Sequence, residues 1–172
     1  MSDAQVQTLP EQLQGWVGKQ GVSGWHVITQ KTVNEYAALT GDGEGEWVHL
    51  DPDRAAREPG FGGTIVPGFL QVAHLTRLCG EAVQTQGGVD VNYALNYGFD
   101  RLRFVKQMPV GAKFRARVEA VNISQHVSGG FILKQQVKLE LGDGTPTLVA
   151  EWLFYLDPRA LAASEGASHA AA

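Results

Sequence analysis

Acidic and histidine side chains lie close together in one glycine-rich stretch of this 172-residue sequence. Asp42 and Glu44 precede His49 by seven and five residues. A carboxylate and a histidine that share one water molecule can take a proton from it and return a proton to a substrate. Gly68 lies in the first turn of a predicted apolar helix, whose free backbone N–H groups favour a developing negative charge. These residue types are the ones that general acid–base chemistry beside an oxyanion site requires, although a lone histidine in a loop is more often structural.

Two predicted helices flank this stretch. The first begins after Thr29, which can cap it, and ends at Gly41. The second begins at Pro67 and runs to about Gln84, with only a narrow polar stripe, as expected of a helix in a core. The segment between them, residues 41–68, is rich in Gly, Asp and Pro, and a loop of that length is usually functional.

The remainder of the sequence predicts β-structure. Alternating apolar and polar residues, or short apolar runs, indicate strands at about 25–28, 93–106, 113–120, 133–141 and 147–156. The short connections between the later strands imply an antiparallel meander. One buried helix followed by long antiparallel strands predicts an α+β fold in which the sheet curls around the helix. Such a sheet leaves edge strands exposed, so we expect a homodimer.

Charge and composition argue against several classes of function. The sequence has 14 Lys and Arg against 18 Asp and Glu, a net charge of −4, and no basic run that would form a nucleic-acid groove. No stretch approaches the roughly 20 apolar residues of a membrane helix, and residues 1–18 lack the pattern of a secretory signal. We therefore expect neither nucleic acid nor a membrane as a partner.

The single cysteine, Cys79, cannot form an internal disulfide, which fits a cytoplasmic protein. It lies among apolar residues of the second helix and is expected to be buried and unreactive. His26, His126 and His169 show no metal-ligand spacing with one another or with Cys79, so no metal site is predicted.

The length suits one domain. We assign residues 1–158 to it, beginning with a polar N-terminal arm in which a short helix around 10–17 is expected. The Ala-rich segment 159–172 is expected to be disordered.

Three segments of the sequence resemble the hydratase segment of MaoC-like proteins, above all their NodN-like branch. They are Tyr36-Ala-Ala-Leu-Thr-Gly-Asp42, Glu46-Trp-Val-His49-Leu-Asp-Pro52 and Phe61-Gly-Gly-Thr-Ile-Val-Pro-Gly-Phe-Leu70. Asn96-Tyr97-Gly98 and Val149-Ala-Glu-Trp-Leu153 are also similar, and the likeness covers roughly residues 25–157. The resemblance implies a hot-dog fold, an acyl-CoA or related acyl thioester as substrate, and (R)-specific enoyl-CoA hydratase or 3-hydroxyacyl thioester dehydratase activity without a redox cofactor.

The resemblance also implies roles for individual residues. His49 and Asp42 would share the catalytic water, the backbone N–H of Gly68 would hold the thioester oxygen, and Asn96 would help to fix the loop or the substrate. The pair Gly62-Gly63 is typical of a loop that accepts a phosphate, and we expect it to bind substrate.

The loop departs from the family pattern and leaves alternatives open. In the family the catalytic acid lies five residues before the histidine, a spacing that Glu44 has and Asp42 lacks. Either residue could therefore be the acid. Two other functions remain possible on the same fold: hydrolysis of an acyl-CoA thioester, and binding of an acyl thioester without catalysis.

Overall fold

The computed structural model describes residues 13, 15–43, 45–85 and 94–157. In these ranges four helices form, at Gln30–Thr40 (α1), Trp47–Leu50 (α2), Pro52–Arg57 (α3) and Gly68–Gln84 (α4). The strands of the same ranges are Gln20–Val22 (β1), His26–Val27 (β2), Leu95–Phe104 (β3), Lys113–Gln125 (β4), Phe131–Leu141 (β5) and Pro146–Leu156 (β6). The mixture confirms the predicted α+β class.

The strands form one antiparallel sheet in the order β1-β4-β5-β6-β3, and β2 also pairs with β4. Strands β4, β5 and β6 follow one another as the predicted meander. The sheet is not closed into a barrel: β1 and β2 lie at one edge, and β3 lies at the other.

The long helix α4 packs against the sheet, as predicted. Its buried side chains join those of the inner face of the sheet in one core cluster, which includes Leu75, Leu78, Phe114, Val137 and Leu148. The alternation of β4 places Phe114 in this core and Arg115 on the outer face. The combination of a buried helix and a half-buried sheet therefore follows from the two hydrophobic periods in the sequence.

The ends of the two long helices test the predicted capping. The Thr29 side chain accepts a hydrogen bond from the N–H of Thr32, and Gly41 ends α1 at φ 74°, a left-handed conformation that glycine adopts without strain. Both predictions are confirmed. Pro67 was expected at the first helical position but is the residue before it, because Gly68 is the first residue with helical geometry.

The segment 41–68 is more ordered than a plain loop. It contains α2 and α3, and the side chain of Asp51 caps α3 by accepting from the N–H of Arg54 at 2.9 Å. Trp47 packs edge-on against Phe61 at 5.2 Å and carries the Arg54 guanidinium over its ring at 4.6 Å. This small cluster gives the segment side-chain packing of its own.

The N-terminal part contributes more than the sequence indicated. Strand β1 was not predicted, because a three-residue segment containing Gly21 has no readable alternation. Leu13 and Trp16 are buried in a second apolar cluster with Phe131, Leu133 and Leu156. Of the helix expected around 10–17, half of the residues lie outside the described ranges; Leu13 is helical and residues 15–17 form a turn. The tail expected to be disordered at 159–172 also lies outside them. Among the described helices, none has the length and apolar character to cross a membrane.

Candidate active site

His49 lies on the short helix α2 and is half-buried. Its Nδ1 atom lies 2.7 Å from the backbone oxygen of Ile65. A carbonyl oxygen can only accept a hydrogen bond, so Nδ1 carries the proton and Nε2 presents a lone pair. Within the described part of the chain, no hydrogen bond to Nε2 is found. The ring is therefore held by one nitrogen and leaves the other available to accept a proton.

The backbone on which His49 sits is held by α1. The Gln30 side chain donates to the His49 backbone oxygen at 2.7 Å and accepts from the Thr64 hydroxyl at 2.6 Å. The N–H of Ile65 donates to the backbone oxygen of Val48 at 3.0 Å. Gln30 thus connects the two chain segments that hold the histidine ring.

A second set of backbone contacts ties this region to the sheet. Val66 donates to the oxygen of Met108 at 2.8 Å, and Val110 donates to the oxygen of Thr64 at 2.9 Å. Ile65 and Pro109 form an isolated antiparallel bridge. His49 is therefore anchored through residues 64–66 to the turn that precedes β4.

Of the two candidate acids, the structure describes only Asp42, and it makes no hydrogen bond to the histidine. Asp42 follows the end of α1, its N–H donates to the oxygen of Ala37 at 3.1 Å, and its side chain is exposed with no hydrogen bond to the described residues. No hydrogen bond or ion pair joins Asp42 to His49 in these residues. Glu44 lies outside them. The choice between the two acids stays a prediction.

Gly68 is the first residue of α4, a helix of 17 residues. A Cβ added to Gly68 would come within 2.8 Å of the Phe104 ring. Any larger residue would therefore displace the half-exposed Phe104 ring, which packs against Gly68 independently of any substrate. The Gly68 N–H has no hydrogen-bond partner in the described ranges, as expected for the first N–H of a helix.

The predicted substrate-binding residues lie in two places. Gly62 and Gly63 have φ angles of 69° and 155°, in the turn between α3 and α4. Asn96 is exposed on the edge strand β3, next to an irregularity in its pairing with β6, and its side chain makes no hydrogen bond to the described residues. No contact joins either group to His49 in this part of the chain, so their substrate-binding role stays a prediction.

The sequence reasoning did not identify Gln30 and Thr64. Neither type is diagnostic: Gln30 looks like an ordinary first-turn residue after the Thr29 cap, and Thr64 looks like a loop residue. Only their contacts across 34 positions of sequence reveal a shared role.

Two observations concern metal-ligand groups and the single thiol. The described residues contain no group of three or more His, Cys, Asp and Glu side chains that could hold a metal ion. Cys79 is buried, and burial raises the pKa of its thiol to about 12, so the thiol stays protonated.

Comparison with known proteins places the chain in a family. The model of the MaoC like domain matches residues 17–138. The 3-hydroxyacyl-thioester dehydratase Z of Mycobacterium tuberculosis (strain ATCC 25618 / H37Rv) is 39% identical over 134 residues, which cover 77% of this chain and 85% of that protein. Nodulation protein N of Rhizobium meliloti (strain 1021) is 32% identical over 139 residues, 77% of this chain and 81% of that protein. The chain belongs to the MaoC-like dehydratase family, as its motifs predicted.

Solved structures agree on the fold. The (R)-hydratase from A. caviae involved in PHA biosynthesis aligns with a TM-score of 0.65 at 24% identity, over 82% of this chain and 96% of that chain. The MaoC-like dehydratase from Rhodospirillum rubrum aligns with a TM-score of 0.62 at 19% identity, over 83% of this chain and 94% of that chain. These alignments confirm the predicted hot-dog fold.

Proposed function

We propose that this protein is an (R)-specific hydro-lyase that adds water reversibly to a 2-enoyl thioester, with acyl-CoA as the thioester. Membership of the family and the dehydratase named at 39% identity support this activity. The observation that carries the proposal is the fixed ring of His49, whose Nδ1–H is bonded to Ile65 and whose Nε2 is free to act on water.

In the hydration direction, the water oxygen forms a bond to Cβ of the enoyl thioester while a base takes one proton from the water. The Cα–Cβ double bond becomes a single bond, and its electron pair moves through an enolate to a new C–H bond at Cα, where an acid delivers the proton. His49 Nε2 and a loop carboxylate hold the water between them and carry out these two transfers. Dehydration is the same sequence in reverse.

The developing enolate oxygen needs hydrogen-bond donors. The free N–H of Gly68, at the positive end of the α4 dipole, is the donor that we assign to this oxygen. Asp42 is the preferred carboxylate, because it follows the rigid end of α1 directly, and Glu44 is the alternative. Asn96 and the Gly62-Gly63 turn are assigned to substrate binding.

The assembly proposed for the enzyme is a homodimer. Strand β3 is ten residues long and pairs only with β6 among the described strands. Apolar side chains along this edge are exposed, among them Leu95, Tyr97 and Phe104, and Phe69 beside them on α4 is 70% exposed. A long unpaired edge with exposed apolar residues favours pairing with a second copy. The enzyme is assigned to the cytoplasm, which suits its protonated, buried Cys79.

Incubation of the purified protein with crotonyl-CoA tests the function, because two signals separate the alternatives. Loss of the enoyl absorbance without release of free thiol is the expected result. Thiol release would instead indicate thioester hydrolysis. Binding of crotonyl-CoA with neither signal would indicate an acyl-thioester-binding protein that lacks catalysis.

A further inference from the structure

A cavity of about 190 Å³ lies between α4 and the inner face of the sheet. Its walls include Thr76, Cys79 and Gly80 from the helix and Leu133, Gln135 and Trp152 from the sheet. None of the described lining residues is charged. The polar side-chain groups of this lining are the amide of Gln135, the hydroxyl of Thr76, the neutral thiol of Cys79 and the indole N–H groups of Trp16 and Trp152, and the rest is apolar.

Gln135 is the unusual member of this wall. It lies on the inner face of β5, between Leu133 and Val137 in the alternation of that strand, and only 3% of it is exposed. Its side chain makes no hydrogen bond within the described residues, although an amide can donate two and accept two. The fully buried side-chain atoms without a partner in the described residues are Gln71 Oε1 and Thr147 Oγ1, so the Gln135 amide opens onto the cavity, where a polar group from outside the chain can bond it.

We propose that this cavity binds the distal part of an acyl chain, and that the Gln135 amide forms a hydrogen bond to a hydroxyl or keto oxygen on that chain. The proposal rests on the proposed function, since it assigns the acyl group of that thioester. The apolar walls suit an alkyl chain, and the amide suits an uncharged oxygen. A carboxylate on the chain would be buried without a cation and is disfavoured.

The position of the cavity fits a tail and not the reacting end. Thr76 follows Gly68 by eight residues (76 − 68), which corresponds to about 12 Å along a helix. A thioester whose oxygen lies at the N–H of Gly68 would reach the cavity only with an extended chain along α4. The site therefore selects longer acyl groups that carry an oxygen in their distal half.

Direct binding tests this selection without turnover. Dodecanoyl-CoA and a set of hydroxydodecanoyl-CoA esters, with the hydroxyl at successive distal carbons, are titrated into the full-length protein by calorimetry. These esters lack both the 2,3-double bond and a 3-hydroxyl, so they cannot react as substrates. In the parent protein, one or more of the hydroxylated esters should bind at least as tightly as dodecanoyl-CoA.

The variant Gln135→Met keeps the size of the side chain and removes the amide. It should weaken binding of the favoured hydroxylated ester by about tenfold relative to binding of dodecanoyl-CoA, the scale of one lost hydrogen bond. Gln136→Met is the matched control, because Gln136 is the next residue of β5 and lines the outer face instead. It should leave the ratio of the two affinities unchanged.

Two further readouts separate a ligand site from a structural amide. Gln135→Met should raise the melting temperature of the ligand-free protein, because an unpaired buried amide is replaced by an apolar group. Gly80→Leu, whose Cβ would meet nothing within 4 Å, should fill the cavity and weaken binding of dodecanoyl-CoA. Equal affinity of Gly80→Leu and the parent for dodecanoyl-CoA would contradict the proposal, since it would mean that the acyl chain lies elsewhere.

The outcomes distinguish this proposal from the proposed function. Hydration of crotonyl-CoA together with an unchanged affinity ratio in Gln135→Met would overturn the role of Gln135 alone, and would indicate an amide that holds only water. Selective binding of hydroxylated esters without hydration of crotonyl-CoA would overturn the activity and support the cavity. Failure of every acyl-CoA to bind would overturn both.

Discussion

The side-chain nitrogen of Gln30 donates a hydrogen bond of 2.7 Å to the backbone oxygen of His49. Through this contact, the first turn of α1 positions the histidine that we assign as a catalytic group. The same amide accepts from Thr64, next to the residue that fixes the Nδ1 proton of His49. Gln30 is therefore a positioning residue. It bonds the backbone of His49 and also the hydroxyl of Thr64, which is next to the Ile65 oxygen that accepts from the ring.

Replacement of Gln30 by Leu should lower kcat by about tenfold with little change in KM, because a catalytic group must be held within about half an ångström. Gln30→Glu should also be impaired, since a carboxylate cannot donate to the His49 oxygen. Asn34→Ala is the control, because Asn34 only accepts from Gln30 at the exposed surface and should be near normal. Steady-state kinetics with crotonyl-CoA measure kcat and KM separately. Equal kcat in Gln30→Leu and the parent would show that the contact has no positioning role.

Substitution of the two loop acids decides between them. We expect Asp42→Asn to lower activity by ~10²-fold or more, the scale of a lost general acid or base, and His49→Ala to be as damaging. Glu44→Gln should cost less than about tenfold. Asp42 is preferred because its N–H is bonded to Ala37 at the end of α1, which holds the chain in place.

Circular dichroism should show that all three variants remain folded, since neither Asp42 nor His49 is part of a core cluster and Glu44→Gln exchanges one polar side chain for another of the same size. The spacing from Asp42 to His49 is two residues longer than in the family. If Glu44→Gln is inactive while Asp42→Asn keeps its rate, these two additional residues lie before Glu44 and the assignment of Asp42 is wrong. If all three keep the parent rate, the site is elsewhere.

A buried carboxylate on the outer face of the sheet predicts acid-sensitive stability. Burial would raise the pKa of Glu140, but hydrogen bonds from Lys138, Arg115 and Arg117 outweigh it and lower the pKa to about 2. A lowered pKa contributes stability that is complete above the unfolded value of 4.5 and is lost as the pH falls towards 2.

Glu140→Gln should therefore reduce the free energy of unfolding at pH 7 by roughly 3 kcal/mol. The difference from the parent should shrink as the pH approaches 2. Denaturant titrations at several pH values measure it. Glu35→Gln is the control: its pair with Lys31 is exposed and should change stability by less than about 1 kcal/mol. If the difference in free energy of unfolding between Glu140→Gln and the parent did not change with pH, ionisation of Glu140 would not be the source of the acid sensitivity.

The exposed edge of β3 predicts the oligomeric state. The parent should be a dimer by light scattering at micromolar concentration, and Leu95→Glu should shift it towards monomer, because a charge would be placed on the pairing edge. Leu39→Glu is the control, since Leu39 is an equally apolar exposed residue on α1. A monomeric parent, or equal effects of the two variants, would rule out pairing through β3.

Much of the fold was predictable because two hydrophobic periods are strong in this sequence. The alternation around Phe114 and the apolar run around Leu75 and Leu78 fixed the sheet and its helix, and Thr29 and Gly41 fixed the ends of α1. Strand β1 and the helices α2 and α3 were missed. Elements of three to six residues depend on tertiary contacts, such as that of Trp47 with Phe61, which the local sequence does not display.

The site was predictable only in part. The His49 motif was recognisable as a pattern, whereas Gln30 and Thr64 became visible through contacts between distant segments. The role of Gln135 was likewise not predictable from the local sequence. Its place in an apolar alternation was readable, but its lack of a hydrogen-bond partner depends on the packing of α4 over β5 and β6.

The stereochemistry of the product tests the central claim most directly. Crotonyl-CoA is incubated with the protein, and the 3-hydroxybutyryl-CoA formed is analysed by chiral chromatography, with His49→Ala as the parallel control. The account predicts the (R) product from the parent and at least ~10²-fold less of it from His49→Ala. An (S) product, or equal yields from the two proteins, would contradict it.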